Sequence, residues 1–132
     1  MTHSFVDLVD LASERLGGAA IAANDEFFAA KDNLIKRGPA MWREGEYTER
    51  GKWMDGWETR RRRDSGDHDW CIVRLGARGI VRGVDVDTSF FKGNFPAACA
   101  IDACDAAGAS PIRPSICRAR CTRLRATRPE RV

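Results

Sequence analysis

The chain has 132 residues, room for one small domain, and its 43% hydrophobic and 31% charged side chains are the balance of a soluble globular protein. No apolar run is long enough to span a bilayer, and Asp7, Asp10 and Glu14 near the N-terminus replace the basic n-region of a secretory signal, so the expected compartment is the cytoplasm, with no membrane partner. The net charge of +3 divides unevenly: residues 1–110 carry 15 basic and 18 acidic side chains, net −3, whereas residues 111–132 carry seven arginines and one glutamate, net +6, and an acidic body argues against nucleic acid as a partner.

In chain order, Phe5, Leu8, Val9, Ala12 and Leu16 fall at helical spacing, which predicts a short amphipathic helix ended by Gly17-Gly18. "GGAAIAANDEFFA" predicts either a short buried strand leading to a turn at Asn24-Asp25 or a helical turn through Phe28 capped by Asn24. Gly38-Pro39 breaks any helix beyond it. Residues 41–69 are rich in Gly, Trp and charge and predict a long ordered loop with short extended pieces.

"DWCIVRLGARGIVRGVDVDTSFF" predicts a β-hairpin: Trp70 to Leu75, a turn at residues 76–79, then Ile80 to Thr88. In the second strand Asp85 and Asp87 share a face with Gly83, an unusual choice for a purely structural surface. Gly93-Asn94 is a turn signal. The segment from Pro111 has seven arginines, three prolines and few aliphatic residues, and its composition predicts disorder. Five cysteines, an odd number with no C-x-x-C pair, argue against both a disulfide framework and a zinc site. Cys71, inside a predicted strand, reads as a small buried hydrophobe, and Trp53, Trp57 and Trp70 as core or sheet-covering groups.

The combination of Asp55-Gly56-Trp57-Glu58-Thr59-Arg60-Arg61 with Asp85-Val86-Asp87-Thr88-Ser89-Phe90-Phe91 and Gly93-Asn94, together with "NDEFFAAKDNLIK" and "DHDWCIVRLG", resembles the N-terminal repeat of the allantoicase (allantoate amidinohydrolase) family. The likeness runs from about Phe5 to about Pro96, with the repeat expected to reach residue 110. It implies an all-β fold, a partial jelly-roll β-sandwich of galactose-binding-like type with an irregular N-terminal segment. It also implies hydrolysis of allantoate to ureidoglycolate and urea in purine catabolism, by proteins that are longer than this chain and commonly form homo-oligomers. Two regions are expected: residues 1–110 as a partial first repeat, and residues 111–132 as a basic, disordered tail unlike the family. That change of character suggests a family member truncated or frameshifted after about residue 110. The alternative is a non-catalytic sandwich that binds a ligand without turnover.

The resemblance makes Arg60 and Arg61 candidates for holding the allantoate carboxylate, which a guanidinium can grip at two points; Arg62 and Arg63 read as surface. Trp57, Thr59, Thr88 and Asn94 join them as substrate-binding candidates. Asp55, Glu58, Asp85 and Asp87 are the catalytic candidates, as acceptors for ureido N–H groups or activators of water. Acids as close as Asp85 and Asp87 repel unless compensated, by arginine or by a divalent cation, so the cofactor is left open. Asp67-His68-Asp69 reads as a polar loop. No Ser-His-Asp or Cys-His spacing supports a covalent route.

Overall fold

The computed structural model describes residues 4–63 and 68–105. These belong to two compact units, residues 1–91 and 92–132. The predicted disorder of the tail and the place of Asp67 lie outside the described residues.

The described part of the first unit is all-β, without an α-helix. Its four strands are β1 (Ala19–Ala23), β2 (Tyr47–Thr48), β3 (Gly51–Lys52) and β4 (Cys71–Arg74), and its helical pieces are single 3-10 turns at Phe5–Asp7, Glu14–Leu16 and Lys31–Ile35. β1 pairs antiparallel with β4, Ala19 opposite Arg74 and Ala23 opposite Cys71, and the register slips between Ala20 and Ala22. Ile21 is the extra residue of that bulge, and its side chain is exposed. β2 and β3 form a small hairpin inside the long loop, Tyr47 opposite Lys52 and Thr48 opposite Gly51, which are the short extended pieces expected there.

The predicted N-terminal helix does not form. Asp10 Oδ1 accepts from the Ala12 amide at 3.0 Å and Ser13 Oγ from the Arg15 amide at 3.3 Å, so these short polar side chains satisfy the backbone in place of a continuous helical ladder. Two 3-10 turns result, and the second ends at Gly17 with φ 95°. Of the apolar positions chosen for the helix face, Phe5, Leu8, Val9 and Leu16 stay exposed, Val9 at 73%, and Ala12 is half-buried.

The predicted hairpin partner of Trp70–Leu75 is also corrected. The first strand exists, as β4, but it pairs with β1; residues 80–88 join no strand. Gly76 and Gly79, expected in the turn, and Gly83, expected in the second strand, have another use. The Gly76 amide donates to the Leu11 carbonyl at 2.8 Å. A Cβ on Gly76 would run into the Leu16 carbonyl, one on Gly79 would lie 2.9 Å from Leu11 Cδ1, and one on Gly83 would lie 2.8 Å from the Phe5 ring. Residues 76–83 are thus laid along the N-terminal segment, which takes the place of the hairpin turn.

Only Ala20 and Ile35 are buried hydrophobic residues among those described. Trp53 and Trp57 are half-buried, whereas Trp70 is exposed. Cys71 is half-buried, and burial pushes its thiol pKa up. The described part of the second unit, residues 92–105, has no named strand or helix; Gly93 takes φ 85°, in keeping with a turn at Gly93-Asn94.

Candidate functional site

The site is assembled where β1 ends, where β4 begins and where the arginine run passes between them. Asn24 follows β1 directly. Its amide donates to the Trp70 carbonyl at 3.1 Å, and its Oδ1 accepts from the Trp70 amide at 2.8 Å, so one residue continues the β1–β4 pairing with backbone and side chain together. This replaces the alternative of Asn24 as a helix cap. Its Nδ2 donates to Asp69 Oδ1 at 2.7 Å.

Asp69 is a hub. Oδ1 also accepts from Arg62 Nε at 3.0 Å, and Oδ2 from Thr59 Oγ1 at 2.8 Å. Burial works to raise its pKa, but the bonds from Asn24, Thr59 and Arg62 outweigh it and hold the carboxyl below its usual range. A depressed folded-state pKa makes Asp69 stabilising above its unfolded value of about 3.9, and that stability is lost as pH falls through the folded value. The denaturation midpoint is therefore expected to fall on acidification, and to fall less in Asp69→Asn. Equal losses in the two proteins would refute this role.

Asp25 organises the other wall. Its Oδ1 accepts from the Phe27 amide at 2.8 Å, closing an Asx turn, and its Oδ2 accepts from Arg60 Nε at 2.6 Å. Its carbonyl accepts from Trp57 Nε1 at 2.7 Å. Burial again works to raise the carboxyl pKa; the Phe27 amide and then Arg60 overcome it and lower it. The Arg60 guanidinium also stands 5.4 Å from the centre of the Phe27 ring. Asp25, Asp69 and Arg60 to Arg63 line a cleft of about 340 Å³.

The residues chosen from sequence are spread around this cleft unequally. Arg60 and Arg61 line it, as do Arg62 and Arg63, which read as plain surface in sequence. Trp57 and Thr59 stand behind it, bonded to Asp25 and Asp69. Asp55 faces elsewhere: Oδ2 accepts from the Met41 amide at 2.8 Å, and Oδ1 is 3.9 Å from Lys36 Nζ, so it fastens the loop after the third 3-10 turn. Glu58 bridges to Ala29 through its backbone, its amide donating to the Ala29 carbonyl at 3.2 Å and its carbonyl accepting from Ala29 at 3.1 Å. Asp85 and Asp87 are exposed, and Asp87 Oδ1 accepts from the Ser89 amide at 2.8 Å. The Thr88 carbonyl accepts from the Phe91 amide at 3.2 Å. Asn94 belongs to the second unit. Among the described residues no group of three or more His, Cys, Asp or Glu comes together so as to hold a metal.

Asp25 and Asp69 escaped the sequence reading. The available signal was position: an Asn-Asp pair closing one strand and an Asp just before another, both flanking a run of guanidinium groups.

Comparison with known proteins bears on the same residues. A family model described as "Allantoicase repeat" matches residues 9–124. The chain is 52% identical over 101 residues to a "Probable allantoicase" of Photobacterium profundum, covering 76% of this chain and 30% of that protein. It is 57% identical over 94 residues to a "Probable allantoicase" of Ralstonia nicotianae, covering 71% and 28%. It is 47% identical over 107 residues to a "Probable allantoicase" of Pseudomonas aeruginosa, covering 81% and 32%. No solved structure gives a significant match. The chain spans about 30% of the length of the curated relatives it matches. With a repeat model covering most of its residues and relatives near half identity, the chain belongs to the allantoicase family.

Proposed function

We propose that the chain supplies the carboxylate-binding part of an allantoate-hydrolysing site. The observation that carries this reading is the cleft itself: in a chain of this family, Arg60 to Arg63 line an open cavity, and two of them, Arg60 and Arg62, are gripped at Nε by acids from other segments. Arg60 takes the substrate carboxylate through its terminal nitrogens, and Arg61 adds positive charge. Trp57 and Thr59 support the wall. The reacting end falls to a carboxylate among Asp55, Glu58, Asp85 and Asp87, with Thr88 beside them: it orients a ureido group and takes a proton from a water, the water oxygen bonds to the central carbon as its C–N bond breaks, the proton passes to the departing nitrogen, and urea leaves with ureidoglycolate as the second product.

The finer architecture is a partial jelly-roll first repeat over residues 1–110, with residues 111–132 as a separate basic segment. The whole enzyme is a cytoplasmic homo-oligomer. Because Asp55, Glu58, Asp85 and Asp87 are absent from the cleft lining, binding without turnover is the second reading for this chain by itself. Catalysis needs groups held within a fraction of an ångström.

Calorimetric titration with allantoate, beside a urea-release assay, tests both. The expected outcome is saturable binding with little or no urea. Robust turnover would show that the cleft and the acids meet without any further chain, and absence of binding at millimolar allantoate would refute the carboxylate site.

A further inference from the structure

Arg60 is a long, two-thirds exposed side chain, at 66% accessibility, yet it is held on several sides. A solvent-exposed arginine gives up rotamer freedom when a ligand fixes it. A group that fixes it beforehand removes part of that cost from binding.

Asp25 has the properties of such a group. Its side chain is only 12% exposed. One carboxylate oxygen is committed to the Phe27 amide and its own carbonyl to Trp57 Nε1, so it is fixed by its own turn and by the half-buried tryptophan behind it. The other oxygen meets Arg60 at Nε, on the side of the guanidinium rather than on its end, where the two terminal nitrogens lie together. A second carboxylate arriving at the same guanidinium would meet those terminal nitrogens. The Phe27 ring backs the group, and Arg50 steadies that ring: its guanidinium lies 4.9 Å from the ring centre, and its Nη1 donates to the Phe27 carbonyl at 3.0 Å.

We infer that Asp25 is a positioning residue, whose carboxylate holds the Nε edge of Arg60 so that the terminal guanidinium nitrogens are presented to the carboxylate of the substrate. The inference rests on the proposed role of the cleft in allantoate binding. Asp25 itself does not touch substrate; it acts through Arg60, with Phe27 as the backing surface.

The test is a double-mutant cycle on the full chain, read by allantoate titration, together with the side-chain Nε–H signal of Arg60 in a 15N correlation spectrum. In Asp25→Asn the amide oxygen keeps the Phe27 turn but the Nδ2 group cannot accept from Arg60. Affinity is expected to fall about tenfold in Asp25→Asn. Arg60→Ala and the double variant Asp25→Asn/Arg60→Ala are expected to agree within about twofold, since the acid has nothing left to position. The Arg60 Nε–H signal is expected to be protected from exchange in the parent chain by the bond to Asp25 and to lose that protection in Asp25→Asn. Where Asp25→Asn does not fold, Asp25→Ser removes the acceptor for Arg60 Nε while its hydroxyl can still accept from the Phe27 amide, and it is expected to show a similar loss of affinity. Additive losses in the cycle, or an Nε–H signal unaffected by Asp25→Asn, would overturn the inference. If the parent chain binds no allantoate, the carboxylate reading of the cleft fails, while the Nε–H signal still decides whether Asp25 holds Arg60.

Discussion

Arg60→Ala is expected to weaken allantoate binding by about thirtyfold, the equivalent of about 2 kcal/mol for a charge-assisted, two-point hydrogen bond. The loss falls on affinity rather than on folding, because the side chain is largely exposed and its main tie is to one acid. Thermal melting of the variant should stay within a few degrees of the parent, as removal of an exposed ion pair is worth less than about 1 kcal/mol. The side chain is more than a charge: Arg60→Lys keeps the cation but gives up both the planar fork and Nε. A variant at Arg60 that binds allantoate as tightly as the parent would remove the carboxylate from this wall of the cleft.

The largest loss of stability is expected from Gly18→Ala. Gly18 is buried, and its amide donates to the Ser13 carbonyl at 3.0 Å. A Cβ there would overlap the Ala12 carbonyl and lie 2.9 Å from the Ser13 carbonyl oxygen. These neighbours are backbone and cannot swing aside as a side-chain tip can. Overpacking of this kind costs about 3 kcal/mol. Gly76→Ala should behave similarly, since its Cβ would meet the Leu16 carbonyl and stand 2.7 Å from the Gly18 amide. Gly45, at φ 71° with nothing within 4 Å of its would-be Cβ, is the control. Alanine there suffers only from the left-handed backbone, about 1 kcal/mol. Urea denaturation of the three variants separates the two causes, and equal shifts for Gly18→Ala and Gly45→Ala would rule out the close backbone contact.

The strands were legible where local pattern suffices. Cys71–Arg74 lies within the strand expected at residues 70–75, and Ala19–Ala23 within the strand alternative for "GGAAIAANDEFFA". The partner of β4 was not legible. Residues 80–88 alternate as a strand does, but pairing depends on which backbone is alongside, and alternation does not encode that. The close seating of Gly76, Gly79 and Gly83 on Leu16, Leu11 and Phe5 is a tertiary fact; locally, Gly76 and Gly79 read as a turn and Gly83 as a strand position. The site divides the same way. Arg60 and Arg61 stood out by charge and family motif, whereas Asp25 became visible only through its contact with a residue 35 positions away.

The clasp between Asn24 and Asp69 joins positions 45 apart. Closing a loop of that length costs entropy before any contact compensates, and the cost rises with the logarithm of loop length. The β1–β4 pairing and the Asn24–Asp69 clasp span nearly the same sequence separation, so a folding chain meets both in one encounter, and the short Thr59–Asp69 link then fastens the arginine run to it. The arginine wall is then a late product of folding: a chain in which residues 24 and 69 have not yet met has the four arginines but no cleft, and the rate at which binding capacity returns after denaturation should match the rate of β1–β4 closure rather than that of any local turn.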